Sequence, residues 1–330
     1  MFRRRRQNPS LDRISALPDS VLTLILSFLY TKQAVATSVL SKRWRPLWLS
    51  LPTLDFDDEA FATFLRFRHF VYSLFLSRDI TLPLRSFRLR CASSFPRDPY
   101  DINRFIYAAV QRGLNHLHLD MNSTFFQPRI NLPLCVLACK SLTVLTLKDL
   151  TVNDLPYVDF PSLKTLDLDQ FLRVEMMNTS LSDVPYFNNL TNMELIFQFT
   201  KWQCGFLVEA LHHCPKLQNL TIHKRYDYGD GIYEDGWEDP QLVPECLSSQ
   251  IRTCCLKDYE GKRCELKFAK CIMQNSKALR TMTIQSVLSV DINEKLQMLT
   301  SLSLCPRISA TCVLHQSIRI SLLDLLQYLV

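Results

Sequence analysis

At 330 residues, 47% hydrophobic and 21% charged, the chain is long enough for two or three folded units and too apolar for wholesale disorder. Its formal net charge of +6 is modest, and much of it comes from the run Arg3 to Arg6. The remaining charges are mixed and form no aromatic-studded basic face of the kind that binds nucleic acid, so no nucleic-acid partner is predicted.

Residues 1–10 read as a disordered basic tail, with Arg3 to Arg6 a nuclear address, a nucleic-acid contact or an unspecialised run of charge. Polar residues Gln7 to Ser10 and the charged Asp12 and Arg13 follow it, which is not the pattern of a secretory signal. The early apolar run Val21 to Tyr30 is too short to span a bilayer and is interrupted by Thr23 and Ser27. The expectation is a soluble protein of the nucleus and/or cytoplasm with no membrane partner. Twelve cysteines, scattered from Cys91 to Cys312, are expected as reduced thiols, mostly in the core.

Residues 11–55 carry the strongest local pattern. Pro18 suits a first helical turn, Asp19 favours the positive end of the helix dipole, and Leu22, Ile25, Leu26 and Leu29 recur at helical spacing. A second helix fits Gln33 to Val39. Ser41 is placed to cap a third, in which Trp44 and Trp48 share a face and Pro46 shortens or kinks the helix. Three helices this short cannot enclose so many large apolar groups, so either the next domain or a partner covers them.

The stretches ALPDSVLTLILSFL and AVATSVLSKRWRPLW strongly resemble the plant F-box, with Leu17, Pro18, Leu22, Ile25, Leu26, Ser38, Leu40, Ser41, Arg43, Trp44 and Trp48 at matching spacing. Gln33 departs from the aspartate usual in this group. The resemblance implies docking onto a Skp-type linker protein and, through it, onto cullin and RING subunits. By the same resemblance, Leu17, Pro18, Leu22, Ile25, Leu26, Leu40, Trp44 and Trp48 supply that interface or its immediate support.

From residue 56 to 225 the unit L-x-x-L-x-L recurs. It appears at Leu84/Phe87/Leu89, Leu114/Leu117/Leu119, Leu142/Leu145/Leu147, Leu163/Leu166/Leu168, Leu190/Met193/Leu195 and Leu217/Leu220/Ile222. Weaker copies follow at Ile251/Cys254/Leu256 and Leu279/Met282/Ile284, and successive copies start 21 to 34 residues apart. One such copy marks any half-buried strand, whereas eight predict stacked leucine-rich repeats. The predicted fold is therefore α/β: a small three-helix F-box followed by a curved leucine-rich-repeat solenoid with parallel strands on the concave side.

Alternate strand positions point away from the leucines, so a polar stripe is expected on that side. It is the candidate surface for an unknown protein substrate, through Arg88, Arg90, His116, His118, Asp120, Thr146, Lys148, Asp167, Asp169, Glu194, Thr221 and His223.

Residues 226–312 open with an acidic segment, Tyr226 to Pro240, expected as a solvated loop. Trp237, Pro240, Val243 to Leu247, the turn Asp258 to Gly261, the run ELKFAKCIMQNSKALRTMTI and Pro306 to Ser309 then resemble the FBD domain of plant F-box proteins, here continuing the solenoid. Residues 313–330 form an atypical tail; its apolar end from Ile318 is either a terminal helix covering the array or the product of a shifted gene model.

No phosphate-binding glycine motif and no C-x-x-C pair occurs, and neither His116/His118 nor His212/His213/Cys214 has an evident third partner. No cofactor, metal or catalytic residue is expected. The resulting expectation is a non-enzymatic adaptor of a ubiquitin ligase; the alternative is a repeat scaffold or decoy that binds partners without recruiting a ligase.

Overall fold

The computed structural model describes residues 14, 16–94, 96–121, 130–151, 158, 160–169, 185–197, 204–224, 240, 242–287 and 292–318. The basic tail, most of the acidic segment 226–240 and the chain beyond residue 318 lie outside these residues. The N-terminal module starts with α1 (Asp19–Leu26) and α2 (Thr31–Ala36), the latter prolonged by a 3-10 turn at Thr37–Val39. The expected third helix is corrected: Ser41 caps nothing, and the chain makes turns before a short 3-10 helix at Leu47–Ser50. Pro46 flanks that helix at its N-cap, where its missing N–H and fixed ring are tolerated, whereas an α-helix through Trp44 and Trp48 would need that N–H and would clash with the ring.

Among the described residues ten strands form one sheet: β1 (Thr53–Asp57), β2 (Ser86–Arg90), β3 (His116–Asp120), β5 (Val144–Lys148), β7 (Thr165–Asp169), β8 (Asn192–Phe197), β9 (Asn219–Lys224), β10 (Thr253–Tyr259), β11 (Thr281–Ser286) and β12 (Val313–Ile318). Each lies beside its predecessor in that order, and every neighbouring pair is parallel. Two short strands, β4 (Ile130–Asn131) and β6 (Leu150–Thr151), pair separately.

Eight of the ten sheet strands are the predicted copies. The other two extend the array at its ends. β1 carries Leu51-x-x-Leu54-x-Phe56, a repeat with phenylalanine at the last position, and β12 takes the first residues assigned to the atypical tail.

Register explains why leucine recurs. Leu54, Phe87, Leu117, Leu145, Leu166, Met193, Leu220, Cys254 and Met282 form one continuous row across the strands. Phe56, Leu89, Leu119, Leu147, Leu168, Leu195, Ile222, Leu256 and Ile284 form the next. The first residue of each copy, from Leu84 to Leu279, is fully buried beside them. Each such side chain contributes about 1.5–3 kcal/mol on burial, and a parallel neighbour in the same register shares the gain.

Connecting helices cover this apolar face. α3 (Phe64–Ser77) starts from Thr63, whose hydroxyl accepts from the Arg66 N–H. α4 (Pro99–Val110) starts from Asp98, whose carboxylate accepts from the Tyr100 N–H, with Pro99 in its first turn. Both turn phenylalanines inward, so Phe56, Phe67, Phe70, Phe75, Phe87 and Phe105 make a chain of edge and tilted ring contacts between β1, β2 and the two helices.

At the other end, α5 (Arg263–Asn275) follows a turn that Gly261 makes with φ of +80°, a conformation glycine adopts without penalty. Glu265 in its first turn is buried and accepts from the backbone N–H groups of Glu260, Gly261 and Lys262 at 3.0, 2.9 and 3.2 Å. The ammonium of Lys224, at the end of β9, lies 3.4 Å from the same carboxylate and 2.7 Å from that of Glu260. Burial pushes the Glu265 carboxyl up, while Lys224 and the N–H donors oppose that rise. Glu265→Gln is expected to lower stability by about 1–3 kcal/mol, because an amide offers one acceptor where three donors and an ammonium need two. A urea midpoint unchanged from wild type would show that the turn does not depend on this carboxylate.

All eleven cysteines with described side chains are free thiols, eight of them buried. Burial pushes the thiols of Cys91, Cys214, Cys246 and Cys254 up, that of Cys246 to about 12, so they stay protonated.

Candidate functional site

Two surfaces stand apart from the core. The first lies on the N-terminal module. Leu22, Leu26, Ala34, Trp44, Leu47 and Leu51 close a small separate core, with Leu17 and Trp48 packed against it. Arg43 ties its two ends, its guanidinium 2.6 Å from the Asp19 carboxylate and bonded to the Leu17 carbonyl.

Once that core is closed, the opposite side of α1 remains exposed. Val21, Leu24, Ile25 and Phe28 follow one another at helical spacing there, with Phe28 81% exposed. Val39 (86% exposed) and Leu40 are also exposed, at the end of the 3-10 turn that follows α2. An apolar stripe of this size in water is a liability unless another surface covers it.

The residues expected to meet a linker therefore divide. Ile25, Leu40 and Pro18 are exposed, Leu17 and Trp48 are half-buried, and Leu22, Leu26 and Trp44 are inside, where they shape the surface and cannot be touched. Val21, Leu24, Phe28 and Val39, which the helical spacing of Leu22, Ile25, Leu26 and Leu29 does not single out, are exposed as well; α1 is apolar on nearly every side after Ser20 and so cannot bury all its residues in one core.

The second surface is the polar face of the sheet. All twelve expected substrate residues fall in three adjacent register rows: Arg88, His118, Thr146, Asp167, Glu194 and Thr221 in the middle one, Arg90, Asp120, Lys148, Asp169 and His223 on one side, and His116 on the other. Thr146 and Asp169 are corrected as contact candidates, because both are buried and present almost no surface to a visitor.

Charges across the rows are largely matched between strands. Arg88 reaches Asp55 at 3.1 Å, and Arg90 reaches Asp57 at 3.0 Å and Glu59 at 3.1 Å. Lys257 reaches over β9 to Glu194 at 3.1 Å, and His223 bonds to Asp258. Asp167 has an oxygen with no hydrogen-bond partner, and burial raises its carboxyl. Asn219 donates to Asn192 at 2.6 Å and accepts from Thr253 at 2.7 Å, a polar ladder along one edge of the face.

Burial and the neighbouring Arg88 push the His118 imidazole down to about 4. A depressed imidazole stays neutral in the folded chain while the unfolded chain takes up a proton near 6.5. Stability is therefore expected to fall as pH drops from about 6.5 towards 4, and less steeply in His118→Gln. Equal slopes of urea midpoint against pH in the two proteins would remove His118 as a source of that dependence.

His213 is buried beneath the ring of Tyr186, with centroids 4.2 Å apart, and Cys214 beside it is fully buried with its thiol raised. That arrangement offers no accessible nucleophile. Among the described residues no group of three His, Cys, Asp or Glu is placed to hold a metal ion, and no helix is long and apolar enough to cross a membrane.

Comparison with known proteins agrees with the two resemblances noted above. Residues 14–55 match the F-box domain and residues 238–284 match FBD. The chain thus carries an F-box followed by an FBD, and the FBD strands β10 and β11 continue the same sheet. Its relatives in Arabidopsis thaliana include a putative FBD-associated F-box protein, 27% identical over 92% of this chain and 99% of the relative. Two F-box/FBD/LRR-repeat proteins of the same plant are 36% and 34% identical over 56% and 70% of this chain; it spans 42% and 51% of their lengths.

Proposed function

We propose that the chain is the substrate-selecting adaptor of a Skp–cullin–F-box ubiquitin ligase. The F-box docks on a Skp-type linker, and through it on cullin and RING subunits, while the sheet forms a leucine-rich-repeat solenoid whose polar rows hold a protein target. The observation that carries this reading is the apolar stripe Val21, Leu24, Ile25 and Phe28, with Val39 and Leu40 exposed besides, left uncovered within the matched F-box after the module has closed its own core. At about 1.5–3 kcal/mol for each side chain removed from water, six of them supply ample gross driving force for a specific complex.

The adaptor performs no chemistry itself. Holding target lysines beside a charged ubiquitin raises their local concentration, and transfer accelerates by proximity. Its place of action is the nucleus and/or cytoplasm, where the ligase subunits and unpaired thiols coexist. Capture of the full chain from plant cells should bring down a Skp-type linker and cullin in stoichiometric amounts. A captured, folded chain free of linker would sink the proposal.

A further inference from the structure

Among the described residues several polar ties join the F-box to the sheet, and Arg78 makes two of them. Arg78 follows α3 directly, is 4% exposed, and extends its side chain away from α3 into the N-terminal module. One guanidinium nitrogen donates to the Trp48 carbonyl at 3.1 Å and the other to the Leu51 carbonyl at 2.7 Å. These carbonyls end the 3-10 helix Leu47–Ser50, where the chain's own N–H groups are running out and a cation is favoured.

Burial lowers the Arg78 guanidinium to about 10, still charged at neutral pH. A buried cation without a carboxylate partner is costly, and its retention calls for a geometric reason. The planar fork supplies one: two donors fixed at a constant spacing orient the module in a way a single flexible bond cannot.

Other ties cross the same junction. The Asp55 N–H of β1 donates to the buried hydroxyl of Thr31 at 2.7 Å, and the Thr53 hydroxyl donates to the Ser27 carbonyl at 3.3 Å. The Lys32 ammonium lies 4.3 Å over the Phe61 ring. Trp48 packs against both the small core and the large one.

We propose that Arg78 is a positioning residue that locks the F-box at one angle on the sheet, so that the linker-facing stripe and the polar rows keep a constant separation. For a proximity catalyst that separation decides which lysines reach the charged ubiquitin, a consequence that rests on the ligase reading above.

The test uses the full chain with spin labels incorporated as genetically encoded amino acids at Lys42 and Leu304, both exposed, leaving the native thiols untouched. Wild type should give one narrow distance distribution. Arg78→Gln should broaden it at least twofold while binding a Skp-type linker within twofold of wild type, because the apolar stripe is intact. Arg78→Lys, which keeps charge and reach without the fork, should fall between them and carries the test if the glutamine variant does not fold.

A distribution as narrow as wild type in both variants, or a broad one in wild type itself, would overturn the assignment. In a reconstituted ligase with the chain's own lysines as acceptors, Arg78→Gln should spread ubiquitin over more lysines at similar total yield. No ubiquitin on the wild-type chain would count against the ligase reading and leave the distance result standing.

Discussion

Leu24→Asp combined with Phe28→Asp should leave the chain folded and weaken its binding to a Skp-type linker by at least a hundredfold. Both side chains are exposed, at 57% and 81%, and neither belongs to the module's core, so the fold has little to lose. Each contributes about 1.5–3 kcal/mol once covered, and two together come to about 3–6 kcal/mol, or roughly two to four powers of ten in affinity. Two uncompensated carboxylates in a dry interface add to the loss. Titration calorimetry on variant and wild type, with circular dichroism to confirm equal folding, reads the effect. Leu22→Asp and Trp44→Ala also abolish binding on this account, but by opening the module, since both residues are interior. A double variant that binds normally would mean the stripe is not the docking face.

Phe56→Ala is expected to have the largest effect on stability, about 3–5 kcal/mol for removing a fully enclosed phenyl ring. Phe56 is the hub of the aromatic chain: its ring lies 5.8–6.4 Å from those of Phe87, Phe70, Phe75 and Phe67. No single neighbour can move in to fill the space without breaking another contact. The strand carrying it, β1, also receives the ties from Thr31 and Ser27, so the loss should reach the F-box as well. A fall in the guanidinium midpoint, together with faster amide exchange in α1 and α2, would show both parts. An effect below about 1 kcal/mol would mean that the ring is not enclosed as described.

How far the molecule could be read from its residues depended on whether a signal was periodic. The leucine rows are, because each strand repeats the same inward positions, and eight strands were located from that pattern. β1 carries the same signal but escaped, since phenylalanine replaces the last leucine and the strand begins within the F-box stretch. The third helix failed for a local reason, as Pro46 falls where an α-helix needs an N–H. On the polar face, period two placed all twelve candidates in adjacent rows. It did not show which ones the neighbouring strands would bury, because Thr146 and Asp169 look no different in sequence from exposed Thr or Asp.

The exposed stripe on α1 illustrates a different limit. Sequence spacing identified Leu22, Ile25, Leu26 and Leu29 as one face, and the small core uses Leu22 and Leu26 from it. Which face turns outward depended on where Trp44, Leu47 and Leu51 fold back, contacts that no local pattern encodes. Arg78 is a further case: nothing in its surroundings in the chain marks an arginine whose partners are carbonyls 27 and 30 residues away.

Hydrogen exchange of the full chain with and without a purified Skp-type linker tests the central claim most directly. Slowed exchange confined to peptides covering residues 19–30 and 37–41, with rates in β2 to β11 unchanged, is the predicted footprint. Protection that falls on the sheet instead, or no protection at saturating linker, would contradict it.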